Sequence, residues 1–302
     1  MVMTFRNLQI FSKVAELGSM SKAAEALYIS QPSVSLAISD IEREYNVLLF
    51  DRVSRSLYLT YSGEKLLEYA NSILYMREEM EEFLNNESAN PCIRIGATAT
   101  VGACIMSPII SDLLQSIPNL KHEVLVANTL IIEDLLLKSK LDIGLVEGTV
   151  RNPNLETKEV IRDRLVFTCS TDHRFMGRKS IRLEELDNEP LILREPGSGT
   201  RAQLEDLLKI KGFQCNIRWS CYNIEAIKDA IMHNLGVSVM SERLVRDSLQ
   251  RRELWVCDIE GSDEFNRTFK LAYHRNKVFT DSMNQFVQAC SDFEQTKNFQ
   301  NL

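Results

Sequence analysis

A chain of 302 residues exceeds one ordinary core and predicts two or three compact units. Hydrophobic residues at 44% and charged residues at 25% exclude the disordered and fibrous classes, and a net charge of −7 excludes bulk electrostatic coating of nucleic acid while allowing specific binding through a small local surface. No segment holds eighteen uninterrupted apolar residues and the start carries Arg6 rather than a signal-peptide core, so the chain is expected in the cytoplasm with no membrane partner.

Phe5, Leu8, Phe11 and Val14 recur at helical spacing until Gly18, a residue able to end the helix. Ser19 or Ser21 caps the next run, Lys22 to Leu27, whose alanines let another helix approach closely. After a turn at Tyr28 and Ile29, Ser30 is again a capping residue and Pro32 falls in a first turn, where its missing N–H costs nothing. The third helix buries Val34, Ile38 and Ile41 and turns Ser33, Leu36, Ser39 and Arg43 elsewhere. Two short helices joined by a tight turn form the unit that lays its second helix in the major groove, although the same periodicity fits an ordinary three-helix core.

From Thr60, a plausible cap, one helix runs to about Glu87 with a seam of Leu66, Tyr69, Ala70, Ile73, Met76, Met80, Phe83 and Leu84, spaced alternately by three and four. Such a helix either lies on its own domain or pairs with a copy. The charged stretch Arg77 to Glu82 leaves only a narrow apolar stripe and favours pairing. Polar Asn85 to Pro91 marks a linker.

Beyond Pro91 short apolar runs alternate with helical segments. Strands are predicted at Ile93–Gly96, His122–Val126, Asp142–Val146, Leu165–Cys169, Pro190–Leu193, Val237–Met240, Leu254–Cys257 and Phe269–Tyr273. Helices are predicted at Val101–Ile117, Ile131–Lys138, after Ser198, at Ile224–His233 and from about Thr280. The alternation predicts a mostly parallel sheet flanked by helices.

The run Ala15 to Leu27, then Ile29-Ser30-Gln31-Pro32-Ser33-Val34-Ser35, Ile41-Glu42 and Leu49-Phe50-Asp51-Arg52 resembles the DNA-binding signature of the LysR family from end to end. The second half is similar to that family's effector domain in Arg94 to Thr98, Leu141 to Gly148, Arg194 to Arg201, Leu235 to Val239 and Arg267 to Leu271. The Gly197 to Arg201 stretch suggests the branch that controls sulfur assimilation or carbon fixation.

The resemblance implies a multidomain regulator: an all-α winged helix-turn-helix over 1–60, a dimerisation helix over 61–90 and a two-lobed, periplasmic-binding-protein-like α/β effector domain over 91–302. Lobe I is expected at about 91–162 plus 268–302 and lobe II at about 163–267, the last strand and helix returning to lobe I. Its partners are double-stranded operator DNA, a small-molecule effector and further copies of itself in a homodimer or homotetramer. Ser30, Gln31, Pro32, Ser33, Ser35 and Leu36 are the expected recognition residues, with Arg52 and Arg55 of the wing set to meet phosphates or the minor groove. Glutamine suits adenine and serine suits phosphate or base edges. Many family members carry arginine where this chain has Leu36, so an apolar contact, such as a thymine methyl, is expected there. The first sixty residues hold six basic and six acidic side chains, a neutral surface rather than a basic one.

Ligands of open α/β folds sit where loops leave the carboxyl ends of strands and meet helix N-termini. Thr98 and Thr100 hold one such loop and Pro196 to Arg201 another, where glycines free the backbone and N–H groups are open to an anion. Thr98, Thr100, Glu147, Ser198, Gly199, Thr200 and Arg201 are therefore the candidate effector residues, and the effector is expected to be a small anion. Glu147 either pairs with Arg201 or receives an ammonium or hydroxyl, the latter favouring an amphoteric ligand such as an acylated amino acid. Without the resemblance, Ser198-Gly199-Thr200 reads as a plain helix cap.

Four histidines (His122, His173, His233, His274) are too spread for a metal cluster. Seven scattered cysteines without a C-x-x-C pair read as free thiols. With no phosphate loop, dinucleotide fingerprint or nucleophile elbow, neither an enzyme nor a cofactor is expected. The alternative is a cytosolic binding protein or enzyme of the two-lobed fold whose N-terminal helices serve only assembly.

Overall fold

The computed structural model describes residues 3–53, 56–85, 91–187, 189–213, 215–260 and 265–296. The chain divides into two compact units, Met1–Ala89 and Asn90–Leu302.

The first unit comprises α1 (Phe5–Leu17), α2 (Met20–Ala26), α3 (Gln31–Tyr45), the antiparallel hairpin of β1 (Phe50–Val53) and β2 (Ser56–Leu59), and α4 (Tyr61–Asn85). Local chemistry sets each boundary. Thr4 caps α1, Ser19 rather than Ser21 caps α2, and Ser30 caps α3 by accepting the Ser33 N–H. Gly18 closes α1 in the left-handed region at φ 60°. Thr60 accepts the Gly63 N–H at 3.0 Å and donates to the Leu48 carbonyl at 2.6 Å, joining the start of α4 to the hairpin. A Cβ on Gly63 would lie 2.2 Å from the Leu49 carbonyl oxygen, so only glycine allows this approach.

Leu8, Phe11 and Val14 of α1, Ala23 and Ala24 of α2, and Val34, Ile38 and Ile41 of α3 form one core with Leu49, Phe50 and Ala70. The seam expected along α4 divides. Leu66 and Ala70 face their own domain's core, whereas Tyr69, Ile73, Met76 and Met80 are exposed. The side chains of Phe83 and Leu84, and the end of the expected helix at Glu87, lie outside the described residues.

In the second unit, the first lobe's sheet holds β3 (Cys92–Ala97), β4 (Lys121–Val126) and β5 (Ile143–Val146), in the order β4-β3-β5 with all three parallel. The helix expected over Val101 to Ile117 is two helices, α5 (Ala99–Cys104) and α6 (Met106–Ser116), broken at Ile105. Pro108 explains the break, because its ring lacks an N–H for the Cys104 carbonyl and crowds it. The opposite face of the sheet is covered by α7 (Thr129–Leu137), which buries Ile132 and Leu136.

Two long strands join the lobes. The sixteen-residue β6 (Leu155–Ser170) pairs antiparallel with β12 (Asn266–His274), from His274 opposite Leu155 to Asn266 opposite Arg164. Beyond that point β6 pairs with β10 (Ser238–Ser241) and β11 (Leu254–Ile259), again antiparallel, and the two-residue β7 (Ser180–Ile181) joins β11. The sheet is therefore mixed, not mostly parallel. The parallel pairings lie in lobe I, between β7 and β11, and in the pair β8 (Leu191–Arg194) with β9 (Ile217–Cys221).

The helices α8 (Gly199–Ile210), α9 (Ile224–Met232) and α10 (Glu242–Gln250) complete lobe II. At the C-terminal end α11 (Asp281–Thr296) buries Met283, Phe286, Cys290 and Phe293 with Ile95, Ile109 and Phe269, in the core of lobe I. No helix among the described residues is long and apolar enough to cross a membrane.

Candidate functional site

The first candidate surface belongs to α3. Its apolar residues Val34, Ala37, Ile38 and Ile41 fall on one side and are buried, which leaves Gln31, Pro32, Ser33, Leu36, Ser39 and Arg43 in solvent. Ser35 is half-buried, and Leu36 is 61% exposed, a large apolar side chain with no protein partner for its surface. The hydroxyls of Ser30 and Ser33 lie 2.8 Å apart and frame the first turn. Helix N-termini attract negative charge, and Pro32 sits in the first turn, where a missing backbone N–H breaks no intrahelical bond. An exposed helix with this polar opening turn fits the major groove rather than a buried core. Arg52 stands on β1 opposite Leu57, but its side chain lies outside the described residues, as does Arg55 altogether.

The second site lies where β5, in lobe I, meets the first turn of α8, in lobe II. A Cβ on Gly199 would lie 2.5 Å from the Glu147 carbonyl oxygen, and one on Gly148, at φ 82°, would lie 2.8 Å from the Gly199 Cα. Two glycines thus permit backbone contact between the lobes. Thr98 begins α5 and accepts the Glu147 N–H at 3.2 Å, while Thr129 donates to the Glu147 carbonyl at 2.9 Å. The ends of β3, β4 and β5 are joined at this point.

Glu147 does not pair with Arg201. It is 1% exposed, and its Oε2 accepts from Arg267 Nη2 at 3.1 Å. The same guanidinium donates through Nε to Asp163 at 2.7 Å and through Nη1 to Thr200 Oγ1 at 2.9 Å. Arg267 and Asp163 stand directly opposite each other in the β6–β12 register, and Asp163 also accepts the Ser241 hydroxyl at 2.6 Å, with Arg243 at 3.6 Å. One buried cation therefore holds lobe I through Glu147, lobe II through Thr200 and the crossing strands through Asp163. Arg201 is turned away, toward Glu205 at 2.8 Å and Ser220 at 3.1 Å. With Arg267 on Glu147, the position that a ligand ammonium would occupy is already filled.

Two hydroxyls stand out. Thr100 Oγ1 and Ser198 Oγ are buried with no hydrogen-bond partner among the described residues, and Ser198 opens α8 without capping it. An unmade hydrogen bond at a buried hydroxyl costs about 1–3 kcal/mol. The turn that holds Ser198 borders a groove of about 1150 Å³, also lined by Leu130, Glu133, Arg151, Gln203, Arg267 and Lys270. Its outer charges are internally matched, Arg151 with Asp206 at 3.8 Å and Lys270 with Glu159 at 3.4 Å. Burial raises the pKa of Glu133 on its wall. Burial, with the charge of Asp163 adding to it, pushes the Cys104 thiol up to about 11, so it is no thiolate at neutral pH. Among the described residues no cluster of His, Cys, Asp and Glu has the makings of a metal site.

Five of the seven candidate effector residues, Thr98, Glu147, Ser198, Gly199 and Thr200, meet at this junction; Thr100 lies in the first turn of α5 and Arg201 points elsewhere. Sequence reasoning missed Arg267, Asp163 and Thr129. The only signal was charge inside strand-like runs, Arg267 before Phe269 and Asp163 before Leu165, and only the strand register brings those charges together.

Residues 5–64 match the family model "Bacterial regulatory helix-turn-helix protein, lysR family", and residues 86–294 match "LysR substrate binding domain". The chain is 30% identical over 282 residues to the HTH-type transcriptional regulator CysL of Bacillus subtilis, covering 93% of both chains. It is 29% identical over 293 residues to the RuBisCO operon transcriptional regulator of Allochromatium vinosum, covering 95% of each. Full-length OxyR from Pseudomonas aeruginosa shares the fold at a TM-score of 0.67 and 22% identity, covering 96% of this chain and 98% of that one. The Synechocystis CcmR regulatory domain in complex with 2-PG matches at a TM-score of 0.63 and 25% identity, over 69% of this chain and 99% of that one.

Proposed function

Because the chain belongs to the LysR family of bacterial transcription regulators, we propose that it reads operator DNA with the exposed face of α3 and takes a small oxyanion at the first turn of α8. It is a DNA-binding regulator with a two-lobed effector domain, and the reading as an enzyme of the two-lobed fold falls with the family assignment. In the proposed division, residues 1–60 bind DNA, 61–90 pair the copies, and 91–302 receive the effector, with lobe I at about 91–162 plus 268–302 and lobe II at about 163–267. The regulator works in the cytoplasm as a dimer or tetramer, with Tyr69, Ile73, Met76 and Met80 of α4 as the pairing stripe. Ser30, Gln31, Pro32, Ser33, Ser35 and Leu36 enter the major groove, and Arg52 and Arg55 meet the backbone.

The observation that carries the effector reading is the buried, unpartnered hydroxyl of Ser198 at the start of a twelve-residue helix that opens without a side-chain cap, with a second such hydroxyl, Thr100 Oγ1, in the first turn of α5. The first-turn N–H groups of α8 lack a side-chain acceptor and a hydroxyl can donate as well as accept, so a partner that supplies acceptors suits both. A sulfate, phosphate or small carboxylate does so, and a helix N-terminus adds about 0.3–1 kcal/mol toward its charge. The CcmR regulatory domain, in complex with 2-PG, supports a small ligand in this fold.

Titration calorimetry with sulfate, phosphate and a set of small carboxylates tests this reading on the full chain. The wild type is expected to bind at least one of them. Ser198→Ala and Thr100→Ala are expected to weaken that binding tenfold or more while DNA binding without effector is unchanged. Equal binding by the variants and the wild type would remove both hydroxyls from the site.

A further inference from the structure

The turn between α2 and α3 contains an aromatic residue that is exposed and left-handed at once. Ile29 N–H donates to the Ala24 carbonyl at 3.0 Å and Tyr28 N–H to the Glu25 carbonyl at 3.2 Å, the paired bonds that close a helix through a left-handed residue. Tyr28 is that residue, at φ 54°. Glycine takes this conformation freely and asparagine tolerates it, whereas a bulky side chain there strains against its own backbone. The same unit closes α1 with Gly18 and α3 with Asn46, both left-handed. Among the described residues Tyr28 is the one aromatic residue at positive φ.

Nothing in the fold repays that strain. The Tyr28 side chain is 95% exposed, and its hydroxyl has no partner among the described residues. A large aromatic held in a strained turn and offered whole to solvent marks a function outside the folded chain. Its position identifies the partner. In a helix-turn-helix the first helix crosses the sugar–phosphate backbone and the second enters the groove, so the turn between them lies at the lip of the groove, beside the phosphates.

We propose that Tyr28 is a DNA-contact residue whose phenol donates a hydrogen bond to a backbone phosphate and fixes the depth at which α3 enters the groove. Tyrosine is among the side chains that make such positioning contacts. The proposal rests on the reading of α3 as the recognition helix. Being neutral, Tyr28 adds affinity without adding to counterion release.

The test uses the full-length chain and a duplex that the wild type selects from sheared genomic DNA, titrated at several salt concentrations. Tyr28→Asn and Tyr28→Phe are each expected to lose about tenfold or more in affinity, the worth of one hydrogen bond to a charged group, with the slope of affinity against salt unchanged. The melting temperature of Tyr28→Asn is expected to equal or exceed that of the wild type, because asparagine relieves the strain; a purely structural role for the ring predicts a fall. Full affinity in Tyr28→Asn while Gln31→Ala is impaired would overturn the proposal alone. Full affinity in both variants would overturn it together with the assignment of α3. A loss of affinity that accompanies a change in sedimentation mass would assign Tyr28 to a protein contact and overturn it as well.

Discussion

The reading surface of α3 and the junction of the two lobes are assembled over very different lengths of chain. On α3 the residues in play run from Ser30 to Leu36, positioned by a cap three residues away and by a buried stripe on the same helix. At the junction, Arg267 reaches partners 67, 104 and 120 residues away in sequence, on α8, on β6 and just past the end of β5. The first is a surface whose side chains wait for a partner; the second is a buried charge network in which nearly every group is already satisfied. Local chemistry is thus enough to present a reading head, whereas a sensing site needs strand register and lobe packing to exist at all.

The largest effect expected from this contrast is at Arg267. Arg267→Met leaves Glu147 and Asp163 buried without their shared cation and is expected to cost about 3–5 kcal/mol, measured by denaturant unfolding of the second unit. A variant as stable as the wild type would break the comparison, since the network would then be incidental. Gln31→Ala, by contrast, is expected to leave the melting temperature alone and to cost about 1–3 kcal/mol in operator discrimination, measured by competition between the selected duplex and single-base variants. The exposed residue acts only on the ligand and the buried one on the fold.

This difference also decided what could be read from the residues alone. Ser30, Pro32 and the Val34, Ile38 and Ile41 stripe announce α3 because capping and helical periodicity act within a few residues. The turn glycines and hydroxyls around Ser198 were likewise visible. The partner of Glu147 was not, because Arg201 is near in the motif while Arg267 is near only through the antiparallel pairing of β12 with β6. The first half of β6 escaped notice for a related reason: Glu156, Lys158 and Glu159 give it a polar face without a clean apolar alternation. The split of α5 from α6 was legible at Pro108 but outweighed by the apolar run around it.

Smaller effects sharpen the contrast further. Thr100→Val removes a buried hydroxyl that has no partner, so it is expected to leave stability unchanged or to raise it by up to about 1 kcal/mol in a thermal melt, while effector binding is lost. A destabilised Thr100→Val would show that this hydroxyl is engaged inside the protein. Ser30→Ala removes the α3 cap and is expected to cost about 1 kcal/mol in the first unit, with DNA affinity falling alongside.

The smallest effect concerns a local ion pair outside both sites. The Arg178 guanidinium, followed by the Arg182 N–H, holds the Glu185 carboxyl down to about 2. Its folded pKa lies below the unfolded value, so its stabilising contribution is present above the ordinary carboxylate range and is lost as pH falls from about 4.5 toward 2. Unfolding measured across that interval is expected to show a shallower pH dependence in Glu185→Gln than in the wild type.

Hydrogen exchange at the Gly199 and Thr200 amides of the full-length protein, with and without sulfate, phosphate or the small carboxylates, tests most directly whether the lobe junction receives an anion. Slower exchange at these two amides on adding at least one of them, with α3 amides unaffected, is the predicted result. Unchanged exchange at both amides across the whole set, or slowing only at positions remote from α8, would contradict it.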